Sequence, residues 1–432
     1  MVSRGGGVAR PARSRGRMGP RGRRCRLQRS SGHTSHDLST RREIVLGSLG
    51  RNEARRRSRN TSRGRRAEAV RSSGSAAVSV GVLPAFLPDE AKDVEEKEAR
   101  DAIMRIEQRQ LSGERKMVAS FIGPGTRGTR DEKEANSGGG AAQSKLSLVL
   151  LHGFDSSCLE WRRLMPQLDT QGLDEVDVYA LDIFGWGFSG TSSDGSLDGI
   201  ETDDDGDYGP DAKRAYLSKF IAQVVRGGGG HGADTGGADE SEETSGTKVQ
   251  HRVIVVGASL GGAVALDLAV NEPDTVDGLV LINAQGYIEG VGNMAKMPTI
   301  VAREGLRLLR SWPLRWYANK IAYYDPKTFA TADALRVGRL HCVRPEWMRA
   351  SLSFMNSGGY STASRIPDVA CPALIVWGRE DRILSPSYAE KFLKDLRQSE
   401  LAWIEQAGHV PHLEQPTHVA DAILSFCRSL SE

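Results

Sequence analysis

Apolar residues in this chain fall into short unbroken runs. Residues 146–151 (LSLVLL), 176–182 (VDVYALD), 252–256 (RVIVV), 276–284 (VDGLVLINA), 372–378 (PALIVWG) and 401–404 (LAWI) are rich in Val, Ile and Leu and show little alternation. Runs of this length predict strands buried on both faces of a sheet. Between and after them, 159–168, 211–225, 262–270 and 419–430 carry apolar residues at helical spacing. Strands alternating with helices predict an α/β fold, a mostly parallel central sheet with helices on both faces. Residues 286–367 break that rhythm. They are rich in Arg, Trp and Tyr, with helical runs at 297–309 and 347–354, and predict an inserted helical lid. Ahead of the first buried run, 89–110 is charged and places Ile103, Ile106 and Leu111 on one side of a predicted helix; 117–122 predicts an early strand.

Composition divides the chain further. Residues 1–80 are rich in Arg, Ser and Gly; the first 75 hold about 21 Arg, no Lys and about four acids. The net charge of +3 therefore hides a body that is acidic by about fourteen charges. The N-terminal segment predicts a disordered tail of organellar transit-peptide composition, plastid before mitochondrion; the competing reading is a basic arm for nucleic acid. Gly-, Ser- and Asp-rich stretches near 123–144, 191–210 and 226–248 predict solvated insertions, and their Asp spacing lacks the DxDxDG pattern of a calcium loop. The predicted organisation is a tail at 1–80, a first core part at 81–285, a lid at 286–367 and a second core part at 368–432. The five cysteines show no CxxC pairing, which argues against a disulfide framework or a zinc site. No apolar run is long enough to span a bilayer.

The chemistry gathers around 251–265 (HRVIVVGASLGGAVA). A serine on a sharp turn between a buried strand and a helix takes a strained backbone that flanking small residues permit. Its hydroxyl then stands above the sheet, and the Leu260 N–H sits at a helix start where an oxyanion is stabilised. GxSxG alone also fits an ordinary glycine-rich turn; GxGxxG and GxxxxGK, the phosphate-binding patterns, are absent. A serine needs a histidine to take its proton and an acid to hold that histidine. Downstream, 377–381 (WGRED) puts carboxylates after one strand and 406–416 (QAGHVPHLEQP) puts histidines after the last. In a parallel sheet these loops open on one edge, so Ser259, Asp381 and His409 can converge there, in the chain order Ser, Asp, His.

HGF, DIFGWGFS, GASLGG, WGREDRIL and GHVPHLEQP, in that order, resemble the α/β-hydrolase superfamily across most of 146–428. Within it, LVLLHGFDSSCLEW and LHC…SFMNSGGY are similar to plant and algal members, often plastid-targeted. The resemblance implies the α/β-hydrolase fold with Ser259 as nucleophile, Asp381 as triad acid and His409 as base. It also implies the backbone N–H groups of Phe154 and Leu260 as oxyanion hole. It prefers Asp381 over Glu380 as the fifth residue of W-G-x-x-D, and His409 over His412 as the histidine that follows glycine. Asn283-Ala284-Gln285, where some members carry the acid, cannot serve. His152 reads as a structural residue of the oxyanion turn and Asp182 as an anchor for the loop after its strand. Trp312, Trp316, Tyr317, Tyr323 and Tyr324 read as lid packing, with an acyl pocket as the alternative.

A serine at the elbow argues against epoxide hydrolases and haloalkane dehalogenases, whose nucleophile is aspartate. What remains is cleavage of a carboxylester, lipid ester, thioester or lactone through an acyl-serine, on a small-molecule or lipid-like acyl substrate; C–C bond hydrolysis is the alternative. This chemistry needs no metal and no organic cofactor. A second class, the small-molecule receptor that keeps a triad, fits the same lid. Nucleic acid is not an expected partner.

Overall fold

A computed structural model describes residues 42–46, 83–124, 145–171, 176–191, 206–227 and 251–430. The insertions at 125–144, 192–205 and 228–250 and most of the N-terminal segment lie outside the described residues. The strands are β1 (Arg42–Leu46), β2 (Ile106–Leu111), β3 (Met117–Ile122), β4 (Lys145–Leu151), β5 (Val176–Leu181), β6 (His251–Ala258), β7 (Gly278–Ile282), β8 (Ala373–Gly378) and β9 (Ser399–Ile404). They form one sheet in the order β1-β9-β8-β7-β6-β4-β5-β3-β2. Pairing is parallel from β1 to β5, and β3 alone runs against its neighbours.

The buried runs form strands because both faces of the sheet are covered. Leu148 and Leu150 of β4 and Ile254 and Val256 of β6 join one core; Val149, Leu151, Val253 and Val255 join the other. The first core packs α1 (Lys97–Ile103), α2 (Met165–Gln171) and the C-terminal α12 (Pro416–Ser429); the second packs α3 (Pro210–Phe220), α4 (Leu260–Asn271) and α10 (Ser387–Asp395). Between β7 and β8 the chain leaves the sheet and forms a cap of α5 (Thr299–Leu309), α6 (Trp312–Ala322), α7 (Pro326–Phe329), α8 (Ala332–Val337) and α9 (Pro345–Asn356). The short α11 (Pro411–Glu414) lies between β9 and α12.

Two expectations change. The charged stretch after Asp89 is not one helix. A short 3-10 turn leads into α1, which stops at Ile103, and Ile106–Leu111 becomes β2, paired residue by residue with β3. Only Ile106 and Leu111 of β2 are buried, so this edge strand has no apolar run to announce it. The second change lies within the segment read as a tail, where Arg42–Leu46 adds a parallel strand beside Glu400–Ile404. Its backbone covers the outer edge of β9, which would otherwise present unpaired donors and acceptors.

The chain order turns at β4. From β4 it moves outward to β5, then crosses back to β6 on the other side of β4. Loops leaving β4 and β6 therefore diverge and open a crevice at their C-terminal ends, the usual ligand position in such sheets. His152 and Ser259 follow those two strands directly.

Candidate active site

Ser259 joins β6 to α4 with φ 49° and ψ −118°, a conformation few non-glycine residues adopt. The turn is tight enough to exclude side chains on both sides. A Cβ on Gly257 would lie 2.3 Å from the Gly261 carbonyl oxygen, and one on Gly261 would lie 2.2 Å from that of Leu151. The strain is held by the end of β7: the Ser259 N–H donates to Ile282 O at 3.1 Å, and Ser259 O accepts from Gln285 N at 2.8 Å.

His409, in the loop after β9, bridges the other two groups. Its Nε2 lies 3.0 Å from Ser259 Oγ and its Nδ1 lies 2.8 Å from Asp381 Oδ2. The network assigns the proton to Nδ1, leaving Nε2 to accept from the serine hydroxyl. Asp381 follows β8. Its Oδ1 accepts from the backbone N–H groups of Ile383 (2.7 Å) and Leu384 (3.0 Å), and its Oδ2 from Asn283 Nδ2 (2.7 Å). Burial pushes this carboxyl up, but hydrogen bonds from His409 and Asn283 outweigh burial and hold it below the usual range. It therefore stays ionised opposite the imidazole.

The rivals are placed elsewhere. Glu380 accepts from Ala407 N at 3.1 Å and donates its own N–H to Ala407 O, tying the β8 loop to the β9 loop. His412 is buried against the Trp161 ring, centroids 4.7 Å apart, with Nε2 3.1 Å from Glu160 Oε1. His152 donates from Nδ1 to Gly153 O at 2.8 Å and accepts at Nε2 from Ile183 N at 2.9 Å. Burial pushes its pKa down to about 4, so it is a neutral spacer that fixes the shape of the turn. Asp182 takes the N–H groups of Cys158 (2.6 Å) and Phe188 (2.8 Å), anchoring two loops, and burial raises its pKa to about 6.

Gly153 lies against the serine, where a Cβ on it would be 3.3 Å from Ser259 Cβ, and Phe154 lines the same cavity as Ser259. Glu160 Oε2 accepts the Gly153 N–H at 3.1 Å and so orients this turn. Leu260 is the first residue of α4, and its N–H is one of those a helix cannot satisfy internally.

Above the serine lies a cavity of about 370 Å³ between core and cap. Its floor includes Phe154, Ser259 and His409; its roof is mainly apolar, with Leu309, Leu314, Ala318 and Leu335. Of the five lid aromatics singled out from sequence, Tyr323 alone is buried and lines this cavity; Trp312, Trp316, Tyr317 and Tyr324 are exposed. These four line no part of the cavity; Trp312 and Trp316, half exposed, stack against Arg339 and Lys320 on the cap's own surface.

Three supporting groups escaped the sequence reading. Asn283, with φ 41° at the end of β7, accepts the Gly378 N–H at 3.0 Å and donates to Asp381, so it positions the acid rather than replacing it. Glu414 Oε2 accepts the Gly408 N–H at 2.6 Å beside the histidine. Asp155, with φ 55°, follows Phe154 and collects donors from the cap: Trp347 Nε1 at 2.7 Å, His341 Nε2 at 3.0 Å and the Arg315 guanidinium. Asp155, His341 and Cys342 have the donor types of a metal site. However, Arg315 and Trp347 already fill the carboxylate, and burial pushes the Cys342 thiol far up, away from the thiolate a metal needs. The cluster works as a joint between the turn after β4 and the cap.

The cap touches the histidine as well. His409 N–H donates to Ala322 O, the last residue of α6, at 2.7 Å. Arg315 and Ala322 thus tie one cap helix to both halves of the site.

The family model "Alpha/beta hydrolase family" matches residues 148–422. The chain is 36% identical over 282 residues to the alpha/beta hydrolase domain-containing protein VTE7 of Arabidopsis thaliana, covering 65% of this chain and 74% of that protein. Among solved structures, a thermophilic esterase from Thermogutta terrifontis superposes with TM-score 0.53 at 18% identity, over 75% of this chain and 98% of the esterase. The meta-cleavage product hydrolase CumD from Pseudomonas fluorescens IP01 gives 0.50 at 16%, over 75% and 97%. The two solved structures speak for the fold, and the family match and the plant relative speak for descent. The chain belongs to the alpha/beta hydrolase family.

Proposed function

We propose that this protein is a serine hydrolase that cleaves an ester-type bond through an acyl-serine intermediate. The observation that carries the reading is the single imidazole of His409 placed between Ser259 Oγ and the ionised Asp381. In the proposed reaction Ser259 Oγ attacks the acyl carbonyl while His409 Nε2 takes its proton, and Asp381 stabilises the imidazolium. The oxyanion accepts from the N–H groups of Phe154 and Leu260. His409 then returns its proton to the leaving alcohol or thiol, and water repeats the sequence to release the acid. The apolar roof of the cavity favours an acyl substrate with a hydrocarbon portion. The Arg- and Ser-rich N-terminal composition and the plant relative support delivery to a plastid.

A fluorophosphonate probe tests the reading directly. Folded protein should be labelled at Ser259, and an acyl p-nitrophenyl series should be turned over; labelling at another residue or none would overturn it. Fusing residues 1–80 to a fluorescent protein tests delivery, and a nuclear signal would replace targeting by the basic-arm reading.

A further inference from the structure

The outward side of the cap is apolar where water should meet it. On α6, Leu314, Arg315, Ala318, Asn319 and Ala322 line the cavity. At 3.6 residues per turn, Trp316 and Tyr317 fall on the opposite side with Trp312 and Ile321 at its two flanks, and all four are exposed. The adjoining α5 buries Ala302 and Leu306 but leaves Ile300 78% and Leu308 63% exposed, with Val301 beside them. A solvated helix carries one apolar stripe, and a second stripe shared by two neighbouring helices marks an interaction surface.

Charge says what that surface meets. Residues 299–322 hold five cations and one acid, Glu304, which is paired with Arg307. Lys320 Nζ sits 3.4 Å above the Trp316 ring and the Arg339 guanidinium 4.9 Å above that of Trp312. Trp and Tyr rings with Lys and Arg at their edges are the composition favoured at the headgroup level of a membrane. Two copies of this face would set cation against cation. No helix among the described residues is long and apolar enough to cross a membrane, so contact would be peripheral.

We propose that the outer face of α5 and α6 docks on an anionic lipid bilayer. Ile300, Leu308, Trp312, Trp316 and Tyr317 enter the boundary between headgroups and acyl chains, and Arg303, Arg310 and Lys320 meet the lipid phosphates. The inner face of α6 roofs the cavity over Ser259, so docking sets that cavity one helix diameter, about 10 Å, from the lipid.

The full-length chain is floated with vesicles of phosphatidylglycerol and phosphatidylcholine, and with phosphatidylcholine alone. Of the seven tryptophans, Trp312 and Trp316 are exposed and the other five are buried. Brominated acyl chains in the anionic vesicles should therefore quench and blue-shift those two, and a W312F/W316F variant should lose the signal. Leu308→Ser with Trp316→Ser, and separately Arg303→Glu with Lys320→Glu, should each weaken anionic-vesicle binding about tenfold or more. Both variants should keep wild-type turnover of soluble p-nitrophenyl acetate, which shows that the cap is folded. Ser259→Ala should bind vesicles as the wild type does, since docking uses no step of the reaction. The charge of the Arg-rich N-terminal segment should attract anionic vesicles as well, so the readout is the difference between cap variants and wild type. Equal binding by all of them, or bound protein with unquenched tryptophan, overturns the proposal. So does a dimer formed without lipid and dissociated by the same substitutions.

Discussion

The two walls of the cavity are built by opposite rules. The floor stands on strand ends, and each group there has its partner: Asp381 takes two backbone N–H groups and Asn283, and the serine turn is bonded to β7. The roof is a set of short helices, of which α5 and α6 carry large apolar side chains on their outer side; it meets the floor at Asp155, at His409 N–H and at Glu414, which accepts the Asp325 N–H. In the proposed reaction the floor holds the reacting groups, a role that needs fixed dipoles and fixed distances. The roof needs only to shape a cavity and meet what lies outside. Its α9 is fixed to the core at its edge, by Glu346 to Tyr208 and Thr191 and by Ser351 to Trp186, while α5 and α6 present apolar and cationic side chains outward. If this contrast is right, substitutions in the floor should act on kcat, and substitutions at the joint should act on stability and substrate capture.

The sharpest break is at the centre of the floor. Ser259→Ala and His409→Ala should each lower kcat of ester turnover by about 10⁴-fold or more, with the double variant little worse than either, because the two act as one unit. His412→Ala is the control. It removes a ring packed on Trp161 and should lower thermal stability while leaving turnover within about tenfold of wild type. Equal losses at His409 and His412 would undo the assignment of the base.

At the joint, Asp155→Ala removes one partner of a buried ion pair and leaves Arg315 uncompensated, which costs about 3–5 kcal/mol. The loss should appear in the unfolding midpoint and, in protein still folded, as a raised KM at nearly unchanged kcat. A kcat loss of triad size would mean that Asp155 takes part in the chemistry and that floor and roof are not separable. A smaller effect belongs to Asn283. Its alanine variant frees Gly378 N and one contact to Asp381, and should lower kcat by about 10- to 100-fold with KM little changed, since a hydrogen bond to a charged group is worth about 1.5–3 kcal/mol.

The same contrast decides what could be read from sequence. β4, β6, β7, β8 and β9 were legible because strands buried on both faces are continuous apolar runs, and the reactive groups follow those strands directly. β2 was not, because an edge strand with Glu107, Arg109 and Gln110 outward has a helix-compatible pattern, and pairing with β3 decides its form. β1 lay hidden in an Arg-rich segment whose composition outweighs five residues. Ser259, Asp381 and His409 stand in local motifs, and Glu414 bonds Gly408 within one of them, but Asn283 and Asp155 act through partners 98 and 192 residues away, which spacing along the chain does not show. The lid aromatics carried a misleading signal. Trp312 and Trp316 have the composition of a core, and only the helical phase of α6 turns them outward.

Acid should separate the two walls most gently. In the floor, two buried neighbours titrate in opposite senses. His152, pushed down to about 4 by burial, contributes stability that is present above the unfolded value of 6.5 and is lost as pH falls toward 4. Asp182, pushed up to about 6 by burial, contributes stability present below the unfolded value of 3.8 and lost as pH rises through 6. Between pH 4 and 6 these trends oppose one another. The joint has no such balance. Burial lowers the pKa of His341, so its contribution declines as pH falls below 6.5. Asp155, held low by His341 and Arg315 against burial, loses its contribution at still lower pH, below the ordinary carboxylate value. Asp381 in the floor, also held low, declines in that same lower range, so the contrast lies at milder acid, where the decline at His341 has no opposing group and the cap loosens before the sheet. Amide hydrogen exchange at pH 5 against pH 7.5, corrected for intrinsic rates, should show α6 and α9 opening more often while β4 and β6 stay protected. Strands that open together with the cap would mean that the joint is as strong as the floor, and the division between the two walls would fall with it.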